Sequence, residues 1–121
     1  MLVLVEVVPY LCDGNRVIFG LAHAIPAADK SYDVVTTFDV IEHLLPEDTD
    51  IICKELERVA RKYILLTVCN DHSKFIGFDE LHINRKASYE EWFSYFKTAF
   101  SGKVEWLPRH GSISEMFKIV L

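Results

Sequence analysis

Glycine is sparse in this chain: the five residues, at positions 14, 20, 77, 102 and 111, are never closer than six apart. No GxGxG-like word can be formed. That removes the usual device by which an α/β sheet binds a nucleotide-like cofactor, a glycine-rich loop after its first strand. Cysteine is scarce too: Cys12, Cys53 and Cys69 form no CxxC pair, so neither a zinc word nor a disulfide framework is present. An odd number of thiols without a secretory signal leads to the expectation of reduced, buried cysteines in a cytoplasmic setting. The apolar start, Met1 to Leu11, is interrupted by Glu6 and lacks a basic flank. It is far shorter than the roughly 18 to 20 apolar residues of a membrane span, so no membrane segment is expected. Basic residues number 13 against 18 acidic ones, a formal charge of -5, and they are scattered, so nothing supports nucleic-acid binding. No repeat, low-complexity tract or Gly/Ser linker marks a boundary, and one domain over residues 1–121 is expected.

What is present is core-forming material. Half of the residues are hydrophobic and about a quarter charged, the composition of a folded globular protein. Leu2 to Val8 and Val17 to Leu21 are short β-branched runs separated by the turn-forming Asp13-Gly14-Asn15, and both read as strands buried on two faces. Tyr32 to Phe38 reads as a third, a central parallel strand apolar on both sides. Pro46, followed by Glu47, Asp48 and Asp50, predicts a helix start, and Ile52, Leu56 and Val59 recur at helical spacing on one face. Tyr63 to Val68 follows as a strand, so residues 32–68 form a strand, helix, strand crossover of right-handed parallel type. Ser88 and Glu91 form a capping box for a helix whose Trp92, Phe93, Phe96, Ala99 and Phe100 make an aromatic face ending near Gly102. Lys103 to Leu107 and Glu115 to Leu121 read as an antiparallel pair closing one edge of the sheet.

The chemistry-bearing residues gather where the third strand ends. Asp39, Glu42 and His43 form a DxxEH word in the turn before a helix, and oxygen and imidazole donors suit Mg²⁺, Mn²⁺ or a similar ion. The plainer reading is a turn that lines a pocket or bonds to backbone. The long stretch 69–87 carries Asp71, His72, Asp79, Glu80 and His82, and aperiodic loops of this length are more often functional than idle. Asp79-Glu80 reads most simply as a solvated acidic turn, and His72 and His110 are weaker candidates than His82. Trp92, Phe93 and Phe96 read as core before they read as a substrate pocket.

The order of elements and the local words together resemble the class I S-adenosylmethionine-dependent methyltransferases, of the type 11 and type 12 kind. The words are Val17-Ile18-Phe19-Gly20 with Pro26 six residues on, Tyr32-Asp33-Val34-Val35, Phe38-Asp39-Val40-Ile41-Glu42-His43-Leu44, Leu56-Glu57-Arg58-Val59 and Ile64-Leu65-Leu66-Thr67-Val68. The resemblance implies a truncated Rossmann-like α/β sheet, mostly parallel with a C-terminal antiparallel strand pair, and helices packed on it. It implies S-adenosylmethionine as cofactor and a small-molecule or other nucleophilic acceptor. Asp39, Glu42 and His43 would line the cofactor pocket, and Asp39, His43 and His82 would supply acid or base help. Two branches of the family have a similar ExxEH word that binds a divalent metal, which extends to Asp39, Glu42, His43 and His82 here.

The departures bear on function. The glycine loop of the first strand is missing, and Leu21 stands where the family usually has an acid for the adenine amino group. If Leu2 to Val8 is the family's second strand, Glu6 is the ribose-binding acid; otherwise it is an ordinary glutamate at a strand end. The same run could instead fill the vacant central first-strand position, where a gap would leave two rows of backbone groups unpaired. Two functions follow. One is a methyl-transfer domain, incomplete as an isolated chain; the other is a non-catalytic interaction module. In either case a homodimer or a partner chain covering the open sheet edge is expected.

Overall fold

The computed structural model describes residues 2–70, 82–109 and 112–121. Asp13 organises the first turn: its Oδ1 accepts hydrogen bonds from the backbone N–H groups of Asn15, Arg16 and Val17 at 2.7, 2.8 and 3.0 Å. Gly14 takes the left-handed φ of 76° that this reversal requires. Leu4–Glu6 (β1) and Val17–Phe19 (β2) form a short parallel pair, the chain crossing between them through a 3₁₀ turn at Pro9–Leu11 and this reversal.

A connection over residues 20–31 then leads to Tyr32–Phe38 (β3), and Arg58, from the last turn of the next helix, pins it. Its guanidinium donates to the carbonyls of Ile25 at 2.9 Å and Ala27 at 2.7 Å, and to the carboxylates of Asp29 and Glu55. The carboxylate of Glu55 in turn accepts from the Ile25 N–H at 2.8 Å. Gly20 is tightly enclosed: a Cβ there would lie 2.6 Å from the Pro26 ring and 2.8 Å from the Val5 side chain.

After β3, residues Ile41–His43 form one 3₁₀ turn and Pro46–Asp48 a second, which leads directly into Thr49–Val59 (α1). The helix starts three residues later than Pro46 suggests because the acidic first turn is taken up by the 3₁₀ segment. Ile52, Leu56 and Val59 are buried as their spacing requires, and Cys53 joins them. Ala60–Val68 (β4) begins at once and runs parallel to β3.

Tyr89–Ala99 (α2) starts at a formed cap, with the Glu91 N–H donating to Ser88 Oγ at 3.2 Å. Trp92, Phe96 and Phe100 are buried, whereas Phe93 and Ala99 are only partly so. Lys103–Leu107 (β5) and Glu115–Val120 (β6) form the expected antiparallel pair. β6 lies inside the sheet, giving the order β3-β4-β6-β5 with β5 as the edge.

Both helices cover the same face. Ile64, Leu66 and Val68 of β4, Phe117 and Ile119 of β6 and Val104 of β5 point into one core with Ile52, Leu56, Trp92 and Phe96. On the opposite face Val34 and Phe38 are 46% and 52% exposed, and no helix covers them among the described residues. Tyr63 on that face is partly exposed beneath the Lys118 ammonium.

Three expectations are corrected here. β3 is an edge strand of its four-stranded sheet, not a central one, and exposure therefore alternates along it. β1 is only three residues long and largely exposed, with Leu2, Leu4, Val5 and Val7 all open. β2 ends at Phe19, itself exposed. The cause is common to all: β1 pairs with β2 and makes no ladder with β3, so the sheet is split into two and four strands. Leu2 to Val8 therefore does not take the central position beside β3. Asp71, His72, Gly77, Asp79, Glu80, His110 and Gly111 lie outside the described residues. Among the described residues no helix is long and apolar enough to cross a membrane.

Candidate functional site

Parallel pairing puts the end of β3 beside the end of β4, where open α/β sheets carry their ligand sites. Asp39 is the first residue past β3 and has a left-handed φ of 53°, uncommon for a residue with a side chain but tolerated best by Asn and Asp. Thr67, buried in β4, holds it there. The Asp39 N–H donates to Thr67 Oγ1 at 2.9 Å, and that hydroxyl donates to Asp39 Oδ1 at 2.8 Å. The conformation turns the chain sharply into the 3₁₀ turn that follows.

Within that turn Ile41 and Glu42 are completely buried and His43 is exposed. His82, partly buried, comes in from the stretch before α2, and its ring meets His43 edge-on with centroids 4.7 Å apart at 74°. One donor atom from each of Glu42, His43 and His82 lies within 4.8 Å of the others. Burial raises the Glu42 carboxyl above its ordinary range, and nearby Asp39 adds to the rise. The backbone amides of Glu42 and Cys69 and the imidazole of His43 offset part of it. Those amides fall short of well-formed hydrogen bonds: among the described residues neither carboxylate oxygen has a hydrogen-bond partner.

A buried carboxylate without partners is costly unless it is neutral or meets a cation. Two imidazoles beside it supply the rest of a mixed N/O donor set of the kind borderline divalent ions take. The residues thus fit such an ion, after a modest closing of donors that would sit roughly 3.4 Å apart around a tetrahedral ion at about 2.1 Å.

The structure brings together three of the four residues considered for a metal. Asp39, though near enough to act on Glu42, is not part of the donor group and is exposed, with its carboxylate engaged by Thr67. Glu6 ends β1, and its Oε1 accepts from the N–H groups of Val7 and Val8 at 2.8 and 3.0 Å. One oxygen is thus anchored on the strand end. Leu21 is partly exposed after β2 and makes a short bridge to Ala24. Trp92 and Phe96 belong to the core: both are fully buried, and Trp92 Nε1 donates to Asn70 Oδ1 at 2.8 Å. An open groove of about 580 Å³ lies along the start of β3, lined by Pro26, Ser31, Asp33 and Arg61. It is at the opposite end of the strand from the donor cluster.

Two residues of the site escape a reading of the sequence. Thr67 sits in an apolar strand run and gives no signal until its partner is placed opposite. Asn84, only 4% exposed, ties the His82 stretch to the Glu42 turn. A buried Asn must be hydrogen-bonded, but burial of a loop residue cannot be read from the loop.

A mixed α/β sheet that carries polar side chains at the ends of its parallel strands is a Rossmann-like arrangement. A family profile described as a methyltransferase domain matches residues 6–66, half of the chain, and the chain belongs to that family. No curated protein matches it. Among solved structures it is similar to an S-adenosylmethionine-dependent methyltransferase from Thermotoga maritima, with 19% identity over 86% of this chain, 63% of that one and a TM-score of 0.61. It is also similar to one from Archaeoglobus fulgidus, with 16% identity over 97% of this chain, 74% of that one and a TM-score of 0.66. A third is PigF with S-adenosylhomocysteine, with 15% identity over 89% of this chain, 36% of that one and a TM-score of 0.63. The chain thus spans less than two thirds of the first and third. Its α/β class and its likeness to class I S-adenosylmethionine-dependent methyltransferases are borne out, and the family implies S-adenosylmethionine as cofactor.

Proposed function

We propose that this chain is a domain of S-adenosylmethionine-dependent methyl transfer, incomplete as an isolated chain, with Glu42, His43 and His82 as ligands of a divalent cation beside the transferred methyl group. The buried Glu42 carboxylate, without a hydrogen-bond partner among the described residues and flanked by two imidazoles, carries this reading. When bound, such an ion would hold the acceptor hydroxyl and lower its pKa.

The remaining residues position and exchange protons. Methyl transfer is a displacement at carbon in which the acceptor attacks in line with the departing sulfonium, so placement dominates its rate. Asp39, fixed by Thr67 but open to solvent, is the carboxylate available to accept the acceptor's proton. His43 and His82 serve that role when no ion engages them. Glu6, with one oxygen anchored on the end of β1 and the other unengaged by those amides, is the candidate for the cofactor's ribose hydroxyls.

Isothermal titration with S-adenosylmethionine and S-adenosylhomocysteine tests the cofactor reading. Saturable binding is expected, weakened at least tenfold by Glu6→Ala. No heat with either ligand would remove it for the isolated chain, and unchanged affinity in Glu6→Ala would remove the ribose assignment.

The split sheet favours a second reading, a non-catalytic module that associates through the open edges of β1 and β3 with a second copy or a partner chain. Neither second edge has a ladder among the described residues, and Leu4, Val5, Val34 and Phe38 lie exposed along these strands. Light scattering should then show a dimer at micromolar concentration. A strictly monomeric species would exclude self-association.

A further inference from the structure

The three donors of the cluster come from two places in the chain, and something must hold them together. Glu42 and His43 are neighbours in the 3₁₀ turn, whereas His82 arrives from about forty residues away. Two residues beyond His82, the Asn84 backbone N–H donates to the Glu42 carbonyl at 3.0 Å. Its side chain reaches both the same turn and the start of α1: Nδ2 donates to Thr49 Oγ1 at 2.8 Å and, more weakly, to the Ile41 carbonyl at 3.4 Å. Three bonds from one residue therefore fasten this stretch, two to the residues that precede His43 and one to Thr49 at the start of α1.

The chemistry requires an amide at that place. The Thr49 hydroxyl donates its single proton to the Pro46 carbonyl at 2.8 Å, so it faces Asn84 with a lone pair. The Ile41 carbonyl also offers only lone pairs. Both need a donor, which fixes the orientation of the carboxamide. Aspartate, the nearest isostere, would set an acceptor against two acceptors in a buried site, where an unmade bond is costly. The chain spans at most about 3.6 Å per residue, so the anchor at residue 84 keeps the His82 backbone within about 7 Å. A second asparagine holds the far side of the stretch, Asn70 Oδ1 accepting from the Lys86 N–H at 3.4 Å.

We infer that Asn84 is a positioning residue, whose carboxamide, seated on Thr49 Oγ1 and the Ile41 carbonyl, holds His82 against His43 and Glu42. The convergence of the imidazoles is a property of the chain itself; the consequence for a cation rests on the metal reading proposed above. Two readouts keep these apart. The first is the nuclear Overhauser contact between the His43 and His82 ring protons in chelator-treated protein. The second is Mn²⁺ binding followed by electron paramagnetic resonance.

The wild type should show the ring contact, and Asn84→Asp and Asn84→Ala should lose it under conditions where each remains folded by circular dichroism. Mn²⁺ affinity should fall roughly tenfold, the lower end of what an outer partner of a metal ligand is worth. Thr49→Ala should weaken the ring contact and Thr49→Ser preserve it, which keeps the test decisive if the Asn84 variants do not fold. A purely structural role would lower the unfolding midpoint and leave both readouts unchanged. Persistence of the ring contact in the folded Asn84 and Thr49→Ala variants, or its absence from the wild type, would overturn the assignment. A wild type with the ring contact but no Mn²⁺ binding would support Asn84 and remove the metal reading.

Discussion

Replacing Glu42 with leucine is expected to abolish measurable Mn²⁺ binding while leaving the metal-free protein at least as stable as the wild type. Both expectations come from the same observation, a carboxylate with no exposed surface and no hydrogen-bond partner among the described residues. Even an outer partner of a metal ligand is worth about 10- to 100-fold in affinity, so loss of a ligand itself should exceed about 100-fold. Stability moves the other way. Leucine fills a similar volume without a polar group, and an unsatisfied buried polar group costs about 1 to 3 kcal/mol. Urea unfolding in the presence of a chelator should therefore give Glu42→Leu a midpoint equal to or above that of the wild type.

Adding Mn²⁺ should reverse the order. At one hundred times its dissociation constant a ligand stabilises the folded state by about 2.7 kcal/mol, and only the wild type has the site to gain it. A chelator-treated Glu42→Leu protein that unfolds at a clearly lower urea concentration than the wild type would mean that the carboxylate has a structural partner in solution. The cation reading would then lose the observation that carries it.

How much of this was legible follows from the range of each signal. The spacing of Ile52, Leu56 and Val59 is local, and α1 lies where it points, because a helix satisfies its own backbone and only its face depends on the rest of the fold. The Ser88 and Glu91 cap is local for the same reason. Strands differ. Val34, Val35 and Phe38 look the same in sequence whether a neighbour lies on one side or two, so β3 reads as central although it forms an edge. The insertion of β6 between β4 and β5 is likewise a matter of long-range pairing that no turn residue encodes.

The site divides along the same line. Asp39, Glu42 and His43 form one short word and were legible as a group. That Asp39 turns away to Thr67 depends on register with a strand twenty-eight residues further on. That His82 joins the other two depends on Asn84, a polar loop residue whose burial has no periodicity to announce it.

Trp92→Ala is expected to have the largest effect on the fold. Trp92 is fully buried on α2, stacked on Phe96 at 5.3 Å between ring centroids, and Phe96 meets Phe117 of β6 at 5.2 Å. Truncation would therefore open a void where the helix meets the sheet, and large aromatic truncations of this kind cost about 3 to 5 kcal/mol. Domains of this size hold about 5 to 15 kcal/mol in total. With Val34 and Phe38 on one sheet face and much of β1 and β2 exposed among the described residues, this chain belongs near the lower end. Urea unfolding followed by far-ultraviolet circular dichroism should show the variant largely unfolded, or with its midpoint reduced by more than half.

Trp92→Phe separates the two roles of the side chain. It retains most of the apolar area and loses the Nε1 hydrogen bond to Asn70, worth about 0.5 to 1.5 kcal/mol. Asn70 also accepts from the Lys86 N–H, so this variant slackens one end of the stretch that bears His82 while the Asn84 bonds to the Glu42 turn remain. A small loss of stability with the contact between the histidine rings intact would locate the hold on His82 at Asn84 and leave Trp92 to the core. If Trp92→Ala instead kept the wild-type midpoint, the indole would have to line a pocket rather than fill the interior, and the aromatic face of α2 would become the place to seek the acceptor.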